Sequence, residues 1–543
     1  MNPMPESLLR IENLGVHFGA GPHLVRAVAG VDLELARGET VVLLGESGSG
    51  KTLTALSVVR LLPPAARIAS GRVLFQGQDL LVLPERLMPG IRGRRIGYVF
   101  QEPQVALNPV MSIGDQIGEV FTTHLGLRGR ARRDRVVEAL EAVGIPDPAQ
   151  RLRDYPHQFS GGMKQRAMLA IALAAEPDLL IADEPTTALD VTLQAQVLAL
   201  LQSEQRRRGM AMLFITHDLG VAAQVADRIV VMQAGGIVET TARADFTGSP
   251  AHPYTRRLFE AMPRLVPRQR PALPAEAPTL LDVRDLRVAF PVRRGLLRRV
   301  VDEVRAVDGV SWSLRAGETL AVVGESGSGK TTMGRGVLRL LPLAGGEVRH
   351  RGVDLRTLDA EALRRRRRQL QVVFQDPYAA MNPRMLVQDI LAEGMVAQQL
   401  RTGPGERAAR VDELLSLVGL EAEHARRYPH EFSGGQRQRL CIARALAVEP
   451  EVLVCDEPTS ALDVSVQSQI LDLLQRLQEE LGLAYLFITH NLGVVARIAH
   501  RVAVMQRGVI VEQGPVDDVL FAPRHPYTRA LVAAVPRVPT AGE

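Results

Sequence analysis

ETVVLLGESGSGKTLTALSVVRLL, residues 39–62, joins three kinds of sequence without a break. The β-branched apolar run before the glycines reads as a buried strand, and beyond Lys51 apolar residues recur at helical spacing. Between them stands G-x-x-x-x-G-K-[ST], a loop whose glycines let the backbone wrap a phosphate chain while several amides donate to it. Gly45, Glu46, Ser47, Gly48, Ser49, Gly50, Lys51 and Thr52 are therefore a candidate phosphate cradle. The start of the next helix adds positive potential at the same spot. Lys51 is expected to reach the β- and γ-phosphates, and the Thr52 hydroxyl to ligate Mg²⁺.

The stretch returns. TLAVVGESGSGKTTMGRGVLRLL spans residues 319–341 and carries Gly324, Glu325, Ser326, Gly327, Ser328, Gly329, Lys330 and Thr331 in the same roles. VFQEP at 99–103 returns as VFQDP at 373–377, FSGG at 159–162 and 432–435, DEPT at 183–186 and 456–459, FITH at 214–217 and 487–490, and HPYT at 252–255 and 525–528. From FSGG onward every pair is 273 residues apart, the mark of a duplicated domain. The copies are expected at 7–262 and 279–536. Pro263, Pro267, Pro271, Pro274 and Pro278 lie between them, a density that favours extended backbone, so 263–278 reads as a semi-rigid linker.

DLLIADE, EVLVCDE, AMLFITH and AYLFITH read as further short buried strands that end in polar residues. Parallel α/β sheets carry their sites at such carboxyl ends, so each half is expected to be an α/β domain. Asp183 with Glu184, and Asp456 with Glu457, can divide the labour at a strand end. The first acid supports the metal; the second polarises the attacking water. His217 and His490 end another strand 33 residues after each glutamate, where an imidazole can link the γ-phosphate to that water.

At 543 residues the chain is too long for one compact domain, and 46% hydrophobic with 23% charged residues is the balance of a folded protein. A net charge of +5 over this length does not indicate a nucleic-acid binder. Two cysteines, Cys441 and Cys455, exclude a disulfide framework or a four-cysteine metal site from this chain alone. The start carries no basic segment followed by an apolar run, and no stretch approaches the ~18–20 apolar residues of a membrane span. An intracellular, reduced, soluble chain is expected, with any membrane role supplied by partners. Arg364 to Arg368 form the largest cationic block and read as a solvated helix face, with attraction to anionic lipid as the sharper alternative.

Taken in order, the P-loop, VFQ, FSGG, DEPT-ALD and ITH resemble the ATP-binding domain of ABC transporters, twice and over essentially the whole chain. The resemblance implies two tandem P-loop NTPase domains, each a mainly parallel core sheet with helices, an antiparallel β subdomain and a helical signature subdomain. It implies ATP with Mg²⁺, the metal held through Thr52, Gln101 and Asp183, and through Thr331, Gln375 and Asp456. Gln101 and Gln375 would also sense the membrane partner. Ser160-Gly161-Gly162 and Ser433-Gly434-Gly435 would be signature loops that bind the γ-phosphate of the opposite domain, so that Lys51 pairs with Ser433 and Lys330 with Ser160. Ala188-Leu189-Asp190 and Ala461-Leu462-Asp463 would be the D-loops. Phe18 and Phe290 are the aromatic residues expected to stack on adenine.

Within that family, HQFSGG or HEFSGG followed later by HPYTR is similar to the oligopeptide, dipeptide, nickel and glutathione importer branch, and the tandem arrangement resembles ATP-binding proteins of microcin C-type peptide and glutathione importers. The partners implied are two integral membrane permease subunits and a periplasmic or lipid-anchored solute-binding protein, with no nucleic acid and an intramolecular dimer of the two domains. The place implied is the cytoplasmic face of the inner membrane, as a peripheral protein. The chain lacks the cysteine cluster some relatives carry, and Asn491 stands where Asp218 follows the first histidine. The alternative is a soluble tandem ATPase acting on ribosomes or DNA, a class that usually carries a long charged linker or an inserted coiled coil.

Overall fold

The structure is a computed structural model that describes residues 7–19, 21, 24–186, 189–248, 250–267, 273, 276–294, 299–460 and 462–535. The chain divides into two compact units, one made chiefly of the residues up to Met262 and the other chiefly of Pro263–Val535. Part of the expected linker (268–272, 274 and 275) and the D-loop alanines Ala188 and Ala461 lie outside the described residues.

In the first unit the strands are β1 (Ser7–Phe18), β2 (Val25–Ala36), β3 (Thr40–Leu44), β4 (Ala66–Phe75), β5 (Gln78–Asp79), β6 (Ile96–Val99), β7 (Leu179–Asp183), β8 (Ala211–Thr216), β9 (Arg228–Gln233) and β10 (Gly236–Ala242). They form two sheets. The core sheet has the order β10-β9-β3-β8-β7-β6, parallel throughout except for β10 at its edge. The smaller sheet, β2-β1-β4-β5, is antiparallel. Every residue of β3, β7 and β8 is buried, which is why these strands read as unbroken apolar runs rather than alternating ones.

Packing follows from side-chain alternation. Val41 and Leu43 of β3, with Ile181 and Ile215, meet Leu9, Ile11 and Phe75 of the antiparallel sheet and Ala55 and Val58 of the helix Lys51–Val59 in one core. Each such buried aliphatic side chain contributes about 1.5–3 kcal/mol, so the helix after the P-loop is clamped between two sheets. The helices Ile113–Leu125, Gly129–Ala142 and Gly161–Leu173 make the helical part between β6 and β7.

The second unit repeats the plan with β11 (Thr279–Arg294), β12 (Arg299–Arg315), β13 (Thr319–Val323), β14 (Gly345–His350), β15 (Val353–Asp354), β16 (Leu370–Val373), β17 (Val452–Asp456), β18 (Ala484–Ile488), β19 (Arg501–Gln506) and β20 (Val509–Pro515). Its core sheet is β16-β17-β18-β13-β19-β20 and its antiparallel sheet β12-β11-β14-β15. Leu453 and Cys455 of β17 enter the core shared with the helical part, whereas Val452 and Val454 enter the core shared with the antiparallel sheet. A strand buried on both faces in this way belongs to the middle of an α/β layer.

Candidate functional site

Four parallel neighbours of the first core sheet, β3, β8, β7 and β6, end at one edge. They deliver Gly45, His217, Glu184 and Gln101. In the second unit β13, β18, β17 and β16 deliver Gly324, His490, Glu457 and Gln375 in the same way.

The P-loop backbone has shapes only glycine takes easily. Gly50 has φ +100°, and a Cβ there would meet the Ala27 carbonyl oxygen at 2.7 Å; Gly329 has φ +104°, with the Ala306 carbonyl oxygen at 2.2 Å. Lys51 is only 4% exposed, and its Nζ donates to the carbonyls of Gly45 and Glu46, both at 2.7 Å. Lys330 repeats this with Gly324 and Glu325 at 2.7 Å each. Burial holds the Lys330 ammonium below its ordinary pKa.

Thr52 Oγ1 donates to Asp183 Oδ1 at 3.1 Å, and Thr331 Oγ1 to Asp456 Oδ1 at 2.9 Å. Burial pushes the Asp183 carboxyl up to about 6, against the hydrogen bonds from Thr52 and Tyr98. Burial raises Asp456 as well. These hydroxyl and carboxylate oxygens, with the amide oxygens of Gln101 and Gln375, are hard donors that suit Mg²⁺. Among the described residues no group of three or more His, Cys, Asp or Glu gathers to hold a metal, so phosphate oxygens and water would have to complete the ion's shell.

Glu184 and Glu457 both have φ +46°, a left-handed conformation that costs a non-glycine residue about 1 kcal/mol or more and is often retained at functional sites. The twist sets each carboxylate between two partners. His217 Nδ1 lies 3.2 Å from Glu184 Oε1, while Gln101 Nε2 donates to Oε2 at 3.0 Å. His490 Nδ1 lies 3.3 Å from Glu457 Oε1, and Gln375 Nε2 donates to Oε2 at 2.9 Å. Against a carboxylate, Nδ1 must carry the hydrogen. Burial would raise the Glu457 pKa, but the hydrogen bond and charge of His490, with Lys330, outweigh it and hold the group ionised.

The structure thus brings P-loop, paired acids, glutamine and histidine together in each unit. The signature residues stand elsewhere. Ser160 caps the helix Gly161–Leu173 by accepting from the Met163 amide at 3.3 Å, and Ser433 caps Gly434–Leu446 by accepting from the Gln436 amide at 3.4 Å. Both serines and the first glycine after each, Gly161 and Gly434, are exposed, whereas Gly162 and Gly435 are half-buried, and a Cβ on either would strike Leu193 or Val466. Phe18, at the end of β1, is half-buried; Phe290, on β11, is 40% exposed.

Sequence reasoning missed one neighbour of Asp183. Tyr98 on β6 donates its hydroxyl to Asp183 Oδ2 at 3.1 Å. Val372 occupies the matching register position on β16. A tyrosine against a valine between the two copies was the available signal.

A model of the ABC transporter family matches residues 28–187 and 307–460. The chain belongs to the ABC transporter family. A second model, described as the oligopeptide/dipeptide transporter C-terminal region, matches 238–285 and 511–543. The chain is 49% identical over 530 residues to a peptidoglycan transport ATP-binding protein, YejF, of Agrobacterium fabrum, covering 97% of this chain and 96% of the relative. It is 48% identical over 531 residues to an uncharacterized ABC transporter ATP-binding protein of Escherichia coli K12, 98% and 100% covered. It is 46% identical over 564 residues to a glutathione import ATP-binding protein, GsiA, of Pectobacterium atrosepticum, 98% and 90% covered. The tandem α/β expectation holds, and the chain is an ABC ATPase coupled to transport. No described helix is long and apolar enough to cross a membrane.

Proposed function

We propose that this chain is the ATP-hydrolysing, energy-coupling subunit of an ABC importer for peptides or peptide-like solutes. The observation that carries the reading is the coincidence, in both units, of a full hydrolytic cluster with a following oligopeptide/dipeptide-type region. The peptide-transport and glutathione-import names of its relatives point to the same solute class.

In this reading the P-loop amides and Lys51 or Lys330 bind the phosphates, and Phe18 or Phe290 faces adenine. Thr52 with Asp183 and Gln101, or Thr331 with Asp456 and Gln375, hold Mg²⁺, which when bound neutralises charge on the β- and γ-oxygens. Glu184 or Glu457 accepts a hydrogen bond from the attacking water, and His217 or His490 orients that glutamate. Water adds to the γ-phosphorus as the bond to the β-phosphate oxygen breaks, giving ADP and phosphate. The two domains pair on binding ATP and separate after hydrolysis, each signature serine serving the opposite domain's nucleotide. Two permease subunits on the cytoplasmic face of the cell membrane receive the motion, and an external binding protein supplies the solute.

The test is reconstitution of the chain with its neighbouring permeases in vesicles. ATP hydrolysis stimulated by the loaded binding protein, and uptake of the peptide that protein carries, are expected. Co-sedimentation with ribosomes and no membrane recruitment would favour the soluble alternative.

A further inference from the structure

In both units the HPYT segment brings a tyrosine hydroxyl to the P-loop, and in the first unit all four of its residues take part. His252 caps the helix Pro253–Ala261, its Nδ1 accepting from the Tyr254 amide at 3.2 Å, and Pro253 takes the first helical position, where a missing amide costs nothing. Thr255 donates its hydroxyl to Glu239 on the edge strand β10, whose carboxylate also accepts from the Ala251 amide at 2.8 Å and the His252 amide at 3.1 Å. Tyr254, 4% exposed, is left pointing its hydroxyl at the nucleotide loop and accepts there from the Glu46 amide at 3.2 Å. In the second unit Glu512 on β20 accepts from the amides of Arg524 and His525, His525 Nδ1 accepts from the Tyr527 amide at 3.2 Å, and the Tyr527 hydroxyl accepts from the Glu325 amide at 3.0 Å.

One peptide plane is therefore held at both ends. The Gly45 carbonyl accepts from Lys51 Nζ, and the amide across the same bond, that of Glu46, donates to the tyrosine. Gly324 and Glu325 show the same pair of bonds. We propose that Tyr254 and Tyr527 are positioning residues of the two nucleotide sites: each fixes the first peptide of its P-loop, so that the loop keeps its shape when the lysine leaves that carbonyl for the phosphates. Burial pushes the Tyr527 phenol up to about 12, so its oxygen stays a neutral acceptor at working pH. A loop ordered beforehand spares that ordering on binding, in ground and transition states alike. The loss therefore falls on KM and not on kcat.

The inference rests on the ATPase reading. The full chain carrying Tyr254→Phe and Tyr527→Phe, which keep the ring and remove only the hydroxyl, is compared with wild type by ATP KM, kcat, thermal melting and the Kd of N-methylanthraniloyl-ATP. A three- to tenfold rise in KM and Kd, about the worth of one hydrogen bond, is expected, with kcat and melting temperature little changed. Unchanged KM and Kd overturn the proposal, whether melting falls or not, since a segment that merely packs would move only the melt. If the double variant does not fold, Tyr254→Phe with Lys330→Ala emptying the other site gives the same Kd comparison. Wild-type chain that binds the analogue but hydrolyses nothing with its permeases would count against the ATPase reading alone, and the Kd comparison would still decide the tyrosines.

Discussion

Tyr98 donates to Asp183 Oδ2 while Thr52 donates to Oδ1, so the strand-end aspartate of the first unit is held on both oxygens; Asp456, with Val372 in the tyrosine's place, has only the Thr331 bond of the two. Two clusters with the same candidate site residues are thereby set differently at the acid.

Removing that second bond is predicted to loosen Asp183 alone. In a Glu457→Gln background, which leaves hydrolysis to the first unit, Tyr98→Phe raises the Mg²⁺ concentration for half-maximal single turnover about tenfold, the scale of one hydrogen bond to a charged group. Val372→Phe in a Glu184→Gln background leaves the second site's Mg²⁺ requirement unchanged. A Mg²⁺ titration of single-turnover hydrolysis checks both.

Both sites are nevertheless expected to work, because each carries its lysine, glutamine, acid pair and histidine in the same hydrogen-bonded arrangement. Glu184→Gln and Glu457→Gln each retain part of the single-turnover hydrolysis, and the double variant binds ATP with negligible turnover. Full turnover in one single variant and none in the other would refute equivalence.

Phe18 and Phe290 are exposed enough to take a ring against them. Phe18→Ala and Phe290→Ala are expected to raise the ATP KM with kcat little changed, since stacking is equal in ground and transition states. Loss of kcat at constant KM, in steady-state assays, would remove them from the adenine site.

The arginine run is a set of clamps and not a bare solvated face. Arg364 donates to the Ala397 carbonyl, Arg365 pairs with Glu361, Arg366 with Gln369, and Arg368 with the Val448 carbonyl and Glu449. Arg367 holds the carbonyls of Leu338 and Arg339, just past the P-loop helix Lys330–Val337, as Arg92 holds those of Val59 and Arg60 in the first unit. Arg367→Ala is expected to lower stability by about 1–3 kcal/mol and Arg365→Ala by under about 0.5 kcal/mol, read by denaturant melts.

His350 is fully buried on β14, 3.3 Å from Glu451, and burial drives its pKa down to about 4. The first unit has Phe75 at this register position, opposite Leu9 as His350 is opposite Leu281. With the folded pKa below the unfolded ~6.5, the unfolded chain takes up the proton first, and stability is lost as pH falls from 6.5 towards 4. Between pH 7.5 and pH 5 the loss from this group is about 2 kcal/mol. His350→Phe is expected to flatten that limb in thermal melts at the two pH values.

The P-loop, the buried strands and the duplication were legible because each is written locally. Apolar runs of four or five residues mark β3, β7 and β8, glycine spacing marks the cradle, and acids at strand ends mark Glu184 and Glu457. Even the Glu184–His217 pair could be anticipated, since both residues end parallel strands that must run to one edge.

By itself, then, the sequence determined the two α/β ATPase domains and which residue types stand at their chemical edge, because strand period, loop glycines and repeat spacing are properties of short segments. Only the tertiary structure decided that Tyr98 meets Asp183 across 85 residues, that Tyr254 meets Glu46 across 208, and that Arg367 closes the helix that starts at Lys330. Those partners depend on the order in which strands lie side by side and on where the final helix returns. No local periodicity carries that information, because a side chain's partner is set by the packing of elements distant in the chain.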